Sequence, residues 1–486
     1  MTTATHDDQL KSASSGPAGS RHSEARHAPH TDTSFDWPLA YDAESLVRGF
    51  ISAFLGKNST AQALAKEMSD KTGTDFLEWV DHITLGPEHE AELRDAGFIN
   101  EPVLAEVGQK VLYHPRAMLP RVLLQTAGSL NSVPVKLAIR PESVVDFVAR
   151  HQLSGKVQGA FGNRLREVLI ETENGHSFIA VERLAYRDFV EHENVPGFAA
   201  EVIAVREFWR ARKRDFPNDE DAVRHAFALQ QEAIDRVGAD VACELFFAEE
   251  RAYWELKNRA GRIQKRRQDL LGLGWGNHDH HTFRSSRRFF ADLVTFLENF
   301  GFKKRERYYA GAEAGWGAQI LEHAITGITV FADVDLMPEE TEIDFSCQRL
   351  QDAPVLRTVG LWCALHGDSF LQAGMHHLEA RFEFENLRAQ LADEGVNTMN
   401  PFSNFDFLKQ AFTQGERWQV NPKRVERLVE SGLITLDQAT KFLEEGAVGS
   451  HLENLQRRGG FKGFNQKSVS VIIEATDPRA VQASHS

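Results

Sequence analysis

The sequence predicts an α+β protein in which an N-terminal mixed α/β and helical region precedes paired βαβββ modules. Three observations predict it. Helical and strand-like hydrophobic periodicities alternate before Gly272. After Gly272-Leu273-Gly274 the texture changes to strand, helix, strand, strand, strand. A second succession of the same kind opens at Gly374.

Composition bounds what such a chain does. It has 486 residues, 42% hydrophobic and 26% charged, which is ordinary globular usage with room for roughly two to four domains. Acidic residues outnumber basic ones 70 to 55, for a net charge of -15. That sign opposes a chain-wide phosphate-binding surface, so nucleic acid is not an expected partner. The three cysteines, Cys243, Cys347 and Cys363, have no CxxC spacing and support neither a disulfide framework nor a thiolate-bound metal. No basic segment leads into an apolar run at the N-terminus, and no apolar stretch is long enough to span a bilayer, so a cytoplasmic protein without membrane contact is expected.

Residues 1–33 contain almost no large apolar side chain, so burial cannot offset the entropy of ordering them, and a disordered tail is expected. Its histidines His6, His22, His27 and His30 are irregularly spaced and read as solvated. Residues 34–192 read as an α+β domain. Asp42 to Phe54 and Ser143 to His151 have helical periodicity, and Arg166 to Ala185 reads as two strands turning at Asn174-Gly175. Residues 193–273 read as a helical region opened by Pro217-Asn218-Asp219, with Gly238 and Gly261 as candidate interruptions. The basic run Lys257 to Arg267 at its end reads as a solvated face that complements the helix dipole.

Residues 274–486 form the paired unit. His278 to Ser286 reads as a strand, Arg287 to Phe300 as an amphipathic helix ended by Gly301, and Phe302 to Ala310, Gly317 to Glu322 and Gly327 to Val334 as three further strands. In the second copy Met375 to Phe384 reads as a strand and Asn386 to Glu394 as a helix ended by Gly395. Ser468 to Ala475 is the expected last strand, and the helical stretch 421–445 an insertion.

Two segments repeat in the same context: Asp279-His280-His281-Thr282-Phe283-Arg284 and His376-His377-Leu378-Glu379-Ala380-Arg381. In each, a histidine precedes an arginine by four residues on a strand leading into a helix. Period-two geometry puts His280 and Arg284 on one face, and likewise His377 and Arg381. A third segment, Val469 to Glu474, is an apolar alternation followed by a carboxylate.

A βαβββ unit opened by a histidine in this pattern resembles the vicinal oxygen chelate superfamily. Within it, the His-x-x-x-Arg strand, the second His-Leu-x-x-Arg strand and the late glutamate are similar to the iron(II)-dependent 2-oxoadipate dioxygenase/decarboxylase family, also called hydroxyglutarate synthase. The resemblance covers about 276–479, and His376 and Glu379 depart from its pattern. It implies His280, His377 and Glu474 as metal ligands, Fe(II) as the cofactor, and a 2-oxo acid and dioxygen as substrates. Arg284 falls on the position that binds a substrate carboxylate, and Arg381 on the matching position of the second module. Two imidazoles and one carboxylate on one face of iron(II) leave adjacent positions open for a bidentate 2-oxo acid and dioxygen. An arginine fork suits the far carboxylate.

Other readings share these residues. His278 and His280 alternate as in the HxH pair of a metal hydrolase, although no eightfold strand–helix repeat accompanies them. An extradiol dioxygenase, isomerase or lyase would use the same ligands without a 2-oxo acid, and a non-catalytic small-ligand binding protein would need no chemistry at all. His278, His281, His323, His366 and His376 read as structural histidines. Gln319 reads as a solvent-facing strand residue with a pocket as the alternative, and Trp316 between two glycines reads as part of a tight turn.

Overall fold

A computed structural model describes residues 37–125, 134–192, 194–465 and 476–479. The tail at 1–33 and the strand expected at 468–475, with Glu474, lie outside these residues. No helix among the described residues is long and apolar enough to cross a membrane.

Two helices open the fold, α1 (Tyr41–Leu55) and α2 (Ser59–Thr72), and both pack into the first of two sheets. That sheet is built from β1 (Val80–Leu85), α3 (Glu90–Asp95), β2 (Ile99–Asn100), β3 (Gln109–Tyr113), β4 (Arg121–Gln125), β5 (Lys136–Ile139), α4 (Val144–His151), β6 (Leu165–Glu173) and β7 (His176–Arg183). Its order is β2-β3-β4-β1-β5-β7-β6, with β1 parallel to β4, β5 parallel to β7, and β1 antiparallel to β5. The expected helices and hairpin are present. Ser143 caps α4 by accepting from the Asp146 amide, and Asn174 and Gly175 both take positive φ, the backbone that a two-residue hairpin turn requires.

The helical region follows as α5 (Phe198–Arg210), α6 (Asp219–Val237), α7 (Ala239–Leu256) and α8 (Arg259–Asp269). Gly238, at φ 80°, separates α6 from α7 as expected. Gly261 does not interrupt anything. The break falls instead at Lys257-Asn258, where the Asn258 side chain caps α8, and Gly261 sits inside that helix because a Cβ there would meet the Trp254 ring at 2.5 Å.

The second sheet holds the paired modules. The first comprises β8 (His278–Arg284), α9 (Phe290–Asn299), β9 (Lys303–Tyr309), β10 (Trp316–Glu322) and β11 (Thr329–Asp335). After α10 (Thr358–His366), the second comprises β12 (His377–Arg381), α11 (Phe384–Asp393), β13 (Ser403–Phe405), β14 (Leu408–Phe412), β15 (Glu416–Trp418), α12 (Pro422–Glu430), α13 (Leu436–Glu445) and β16 (Ala447–Arg457). Their order is β13-β14-β16-β12-β8-β11-β10-β9, with β15 beside β16. In each module the first strand lies parallel to the last, β8 to β11 and β12 to β16, and the two first strands meet antiparallel. This is the paired βαβββ arrangement that the sequence predicts. The first sheet repeats its logic, since β1-α3-β2-β3-β4 and β5-α4-β6-β7 are also joined through antiparallel first strands.

One face of the second sheet packs on helices. Phe283 meets Phe246 and Phe247 of α7 with ring centroids 6.3 and 5.7 Å apart, and His281 meets Phe247 at 5.0 Å. Alternation then turns His280, Thr282 and Arg284 to the opposite face.

Candidate metal centre

Strand register brings the chemistry together. Antiparallel pairing of β8 with β12 sets His280 against Glu379 and Thr282 against His377, while parallel pairing of β12 with β16 sets Glu379 against Glu453. Donor atoms of His280, His377 and Glu453 lie within 4.8 Å of one another, and all three residues are buried. The His377 Nε2 is 3.2 Å from Glu453 Oε2 and 2.7 Å from Thr282 Oγ1. The His280 Nε2 contacts the Glu379 carboxylate directly. Gln410 on β14 donates to both acids, at 2.8 Å to Glu379 and 3.3 Å to Glu453.

The electrostatics fit a divalent cation. Burial drives the His280 pKa far below its usual range, and burial with the Arg284 charge pushes His377 down to about 3, so both imidazoles are neutral and free to donate a lone pair. Burial, reinforced by Glu453 and Asp279, drives Glu379 well above the usual carboxylate range, and burial pushes Glu453 up to about 8. Two desolvated acids beside two neutral imidazoles form a donor set that a divalent cation would suit.

Surrounding side chains hold the donors in place. Phe331 stacks on His280 with centroids 4.2 Å apart, and Phe412 packs 5.2 Å from His377. Behind the site, Arg457 at the end of β16 forms a bidentate pair with Asp279 at 2.8 and 3.1 Å and donates to the Gly463 carbonyl at 2.6 Å. This buried pair ties the Glu453 strand to the His280 strand across β12.

The cavity beside these donors measures about 80 Å³. Arg284, Asp333, Trp316 and Tyr308 line it, and Phe464, Asn465 and Thr476 close it from the C-terminal segment. Arg284 is buried. One terminal nitrogen donates to Thr476 Oγ1 at 3.1 Å and the other to its carbonyl at 3.5 Å, and Nε has no partner among the described residues. Burial pushes Asp333 up to about 7 despite the Arg284 charge.

Of the residues expected from sequence, His280, His377 and Arg284 share the cavity. Arg381 does not line it; its guanidinium pairs at 2.8 Å with Glu78, in the helical turn just before β1. Glu474 lies outside the described residues, and the carboxylate seen beside the two histidines is Glu453, 76 residues after His377. Sequence reading missed Glu453 and Glu379 as partners. The signal was present in β16, whose alternation of His451, Glu453, Leu455 and Arg457 puts polar groups where an inward strand face is usually apolar.

Several expectations about neighbouring residues also change. Gln319 faces neither solvent nor the cavity; it is buried and donates to the Glu306 and Ile320 carbonyls. Trp316 is a cavity wall. His278 does not join the donor cluster, which removes geometric support from an HxH metal pair. His281, His323 and His376 are buried, and the Nδ1 of His376 bonds the Gly449 carbonyl at 3.0 Å.

No family model matches the sequence. No curated protein matches it either. Solved structures similar to parts of the chain include a variant of 4-hydroxymandelate synthase from Streptomyces coelicolor, 12% identical over 82% of this chain and 97% of its own, with a TM-score of 0.25. A variant of methylmalonyl-CoA epimerase from Streptomyces coelicolor is 16% identical over 37% of this chain and 96% of its own, with a TM-score of 0.20. A variant of glyoxalase I from Zea mays is 9% identical over 24% and 46%, with a TM-score of 0.17. At such scores these likenesses carry no argument, and the reading of the site stands on strand register and donor geometry.

Proposed function

We propose that the chain is a non-haem iron(II)-dependent dioxygenase that oxidatively decarboxylates a 2-oxo acid of the 2-oxoadipate kind. The observation that carries this reading is the convergence of His280, His377 and Glu453 on one buried point beside a cavity that also holds Arg284. Iron(II) would be held by these three residues, where it would bind the 2-oxo acid and pass electrons from that acid to dioxygen.

The protein's own groups do the rest. Arg284 receives the substrate's distal carboxylate on its fork, exchanging the weak Thr476 contacts for charge-assisted hydrogen bonds. Phe331, Phe402 and Phe412 exclude water from the cavity, which strengthens that pairing. Gln410 holds the two acids apart and orients Glu453 toward His377. Anaerobic reconstitution with iron(II) should give one ion per chain, and a 2-oxo acid screen should then show coupled oxygen uptake and carbon dioxide release. Iron that binds but supports no oxygen uptake with any 2-oxo acid overturns the reading.

A second reading rests on Glu379. Its contact with His280 puts a second carboxylate beside the donor group, and a metal that also took Glu379 as a ligand would have fewer open positions, which suits an isomerase or lyase. Under the dioxygenase reading, Glu379→Gln keeps one iron per chain. Loss of the metal in that variant favours the four-donor alternative.

A further inference from the structure

A cleft of about 820 Å³ lies between the two sheets, ten times the volume of the cavity at the metal centre and within the usual range for ligand sites. Trp79, Arg121 and Arg140 line it from the first sheet, and Lys303, His280 and Phe331 from the second. His280 and Phe331 also line the metal cavity, so the two spaces share a wall.

The cleft is cationic in a chain of net charge -15. Nine arginines and lysines line it against five acidic residues. Each acid already has a cation: Glu78 pairs with Arg381, Asp81 with Arg183, Glu101 with Arg121 and Arg187, Asp279 with Arg457, and Glu322 with Lys462. The half-buried Arg140 guanidinium and the exposed Lys303 amine have no side-chain partner among the described residues. Burial, with Arg187 and Arg183 nearby, lowers Arg121 to about 10. Cations crowded this way in a walled space favour an anion between them.

We propose that this cleft is an oxyanion site anchored by Arg140 and flanked by Arg121 and Lys303, which holds a carboxylate or phosphate of a molecule whose other end reaches the metal past His280 and Phe331. The anion site stands on the cleft alone, and only the reach to the metal rests on the dioxygenase function. The small metal cavity with Arg284 accommodates the reacting end, and the cleft takes a further anionic group of a longer molecule.

Trp79 in the cleft wall gives a fluorescence signal that needs no turnover. The full chain as purified is titrated at low salt with inorganic phosphate and, separately, with glutarate. Saturable binding is expected, weakened about tenfold or more in Arg140→Gln and less in the exposed Lys303→Gln. The tighter probe identifies the group as phosphate or carboxylate. Thermal unfolding checks that Arg140→Gln is folded, and Lys303→Gln gives an independent reading if it is not. Absence of saturable binding, or indifference to both cleft substitutions, overturns the site. Because neither probe is turned over, a protein that fails to consume oxygen can still show the anion site, and one that consumes oxygen can still lack it.

Discussion

The Nε2 of His377 and the Oε2 of Glu453 lie 3.2 Å apart, on strands that are parallel neighbours in the sheet. A metal at this point takes its carboxylate from the last strand of the second module and its two histidines from the first strand of each. Replacing Glu453 with Gln keeps shape and hydrogen bonding but removes the anionic donor, so metal content after reconstitution should fall sharply. Glu474→Gln should retain it. Metal analysis of both variants by mass spectrometry decides between the two glutamates, and retention in Glu453→Gln would refute Glu453 as the third ligand.

His280 and His377 were legible because each opens a strand with an arginine four residues on, a local pattern that survives without knowledge of the fold. The Glu453 carboxylate was not, because β16 comes after two inserted helices and its inward face carries Gly449, His451 and Glu453 where apolar periodicity normally marks a strand. A functional site is where such patterning fails, since chemistry needs polar groups inside. The same limit applied in the first half. Helices and the Asn174-Gly175 hairpin were readable, but β1, β3 and β4 are short and their module order is set by long-range pairing.

Asp279 and Arg457 form a buried pair that fastens the strand of His280 to the strand of Glu453. Asp279→Asn leaves the guanidinium desolvated without its counter-charge, and breaking a buried pair in this way costs about 3–5 kcal/mol. The unfolding midpoint in denaturant should drop accordingly, in metal-free as well as metal-loaded protein. Loss of metal with no loss of stability would place Asp279 in the metal chemistry rather than behind it.

Asp333 gives the protein a pH signature. Burial raises its pKa in the fold from an ordinary 3.8 to about 7, so the folded state holds a proton that the unfolded chain has already released. Its contribution is therefore intact below about pH 4, declines as pH rises toward 7, and stays lost above that. The full difference is about 4 kcal/mol as an upper bound. Asp333→Asn should be more stable than the parent at pH 8 and nearly equal to it at pH 4, measured by chemical denaturation across that range. Equal stability at both ends would mean that Asp333 ionises normally.

Arg284 separates substrate binding from metal binding. It shares the cavity with both histidines, and among the described residues its guanidinium hydrogen-bonds only to Thr476, lies 5.7 Å over the Trp362 ring and leaves Nε unpartnered, so it has capacity for an incoming acceptor. Arg284→Lys preserves the charge and loses the planar fork, and each charge-assisted hydrogen bond is worth about 1.5–3 kcal/mol. The KM for a 2-oxo dicarboxylate should rise about tenfold or more, with iron content unchanged because no donor atom has been altered. A substrate held less firmly also sits less well oriented, so oxygen uptake should exceed carbon dioxide release in this variant. A monocarboxylic 2-oxo acid, which has no distal group for the fork, should show the same KM in variant and parent. If instead Arg284→Lys loses iron, or raises KM equally for both kinds of substrate, the arginine supports the fold and the dicarboxylate specificity assigned to it fails.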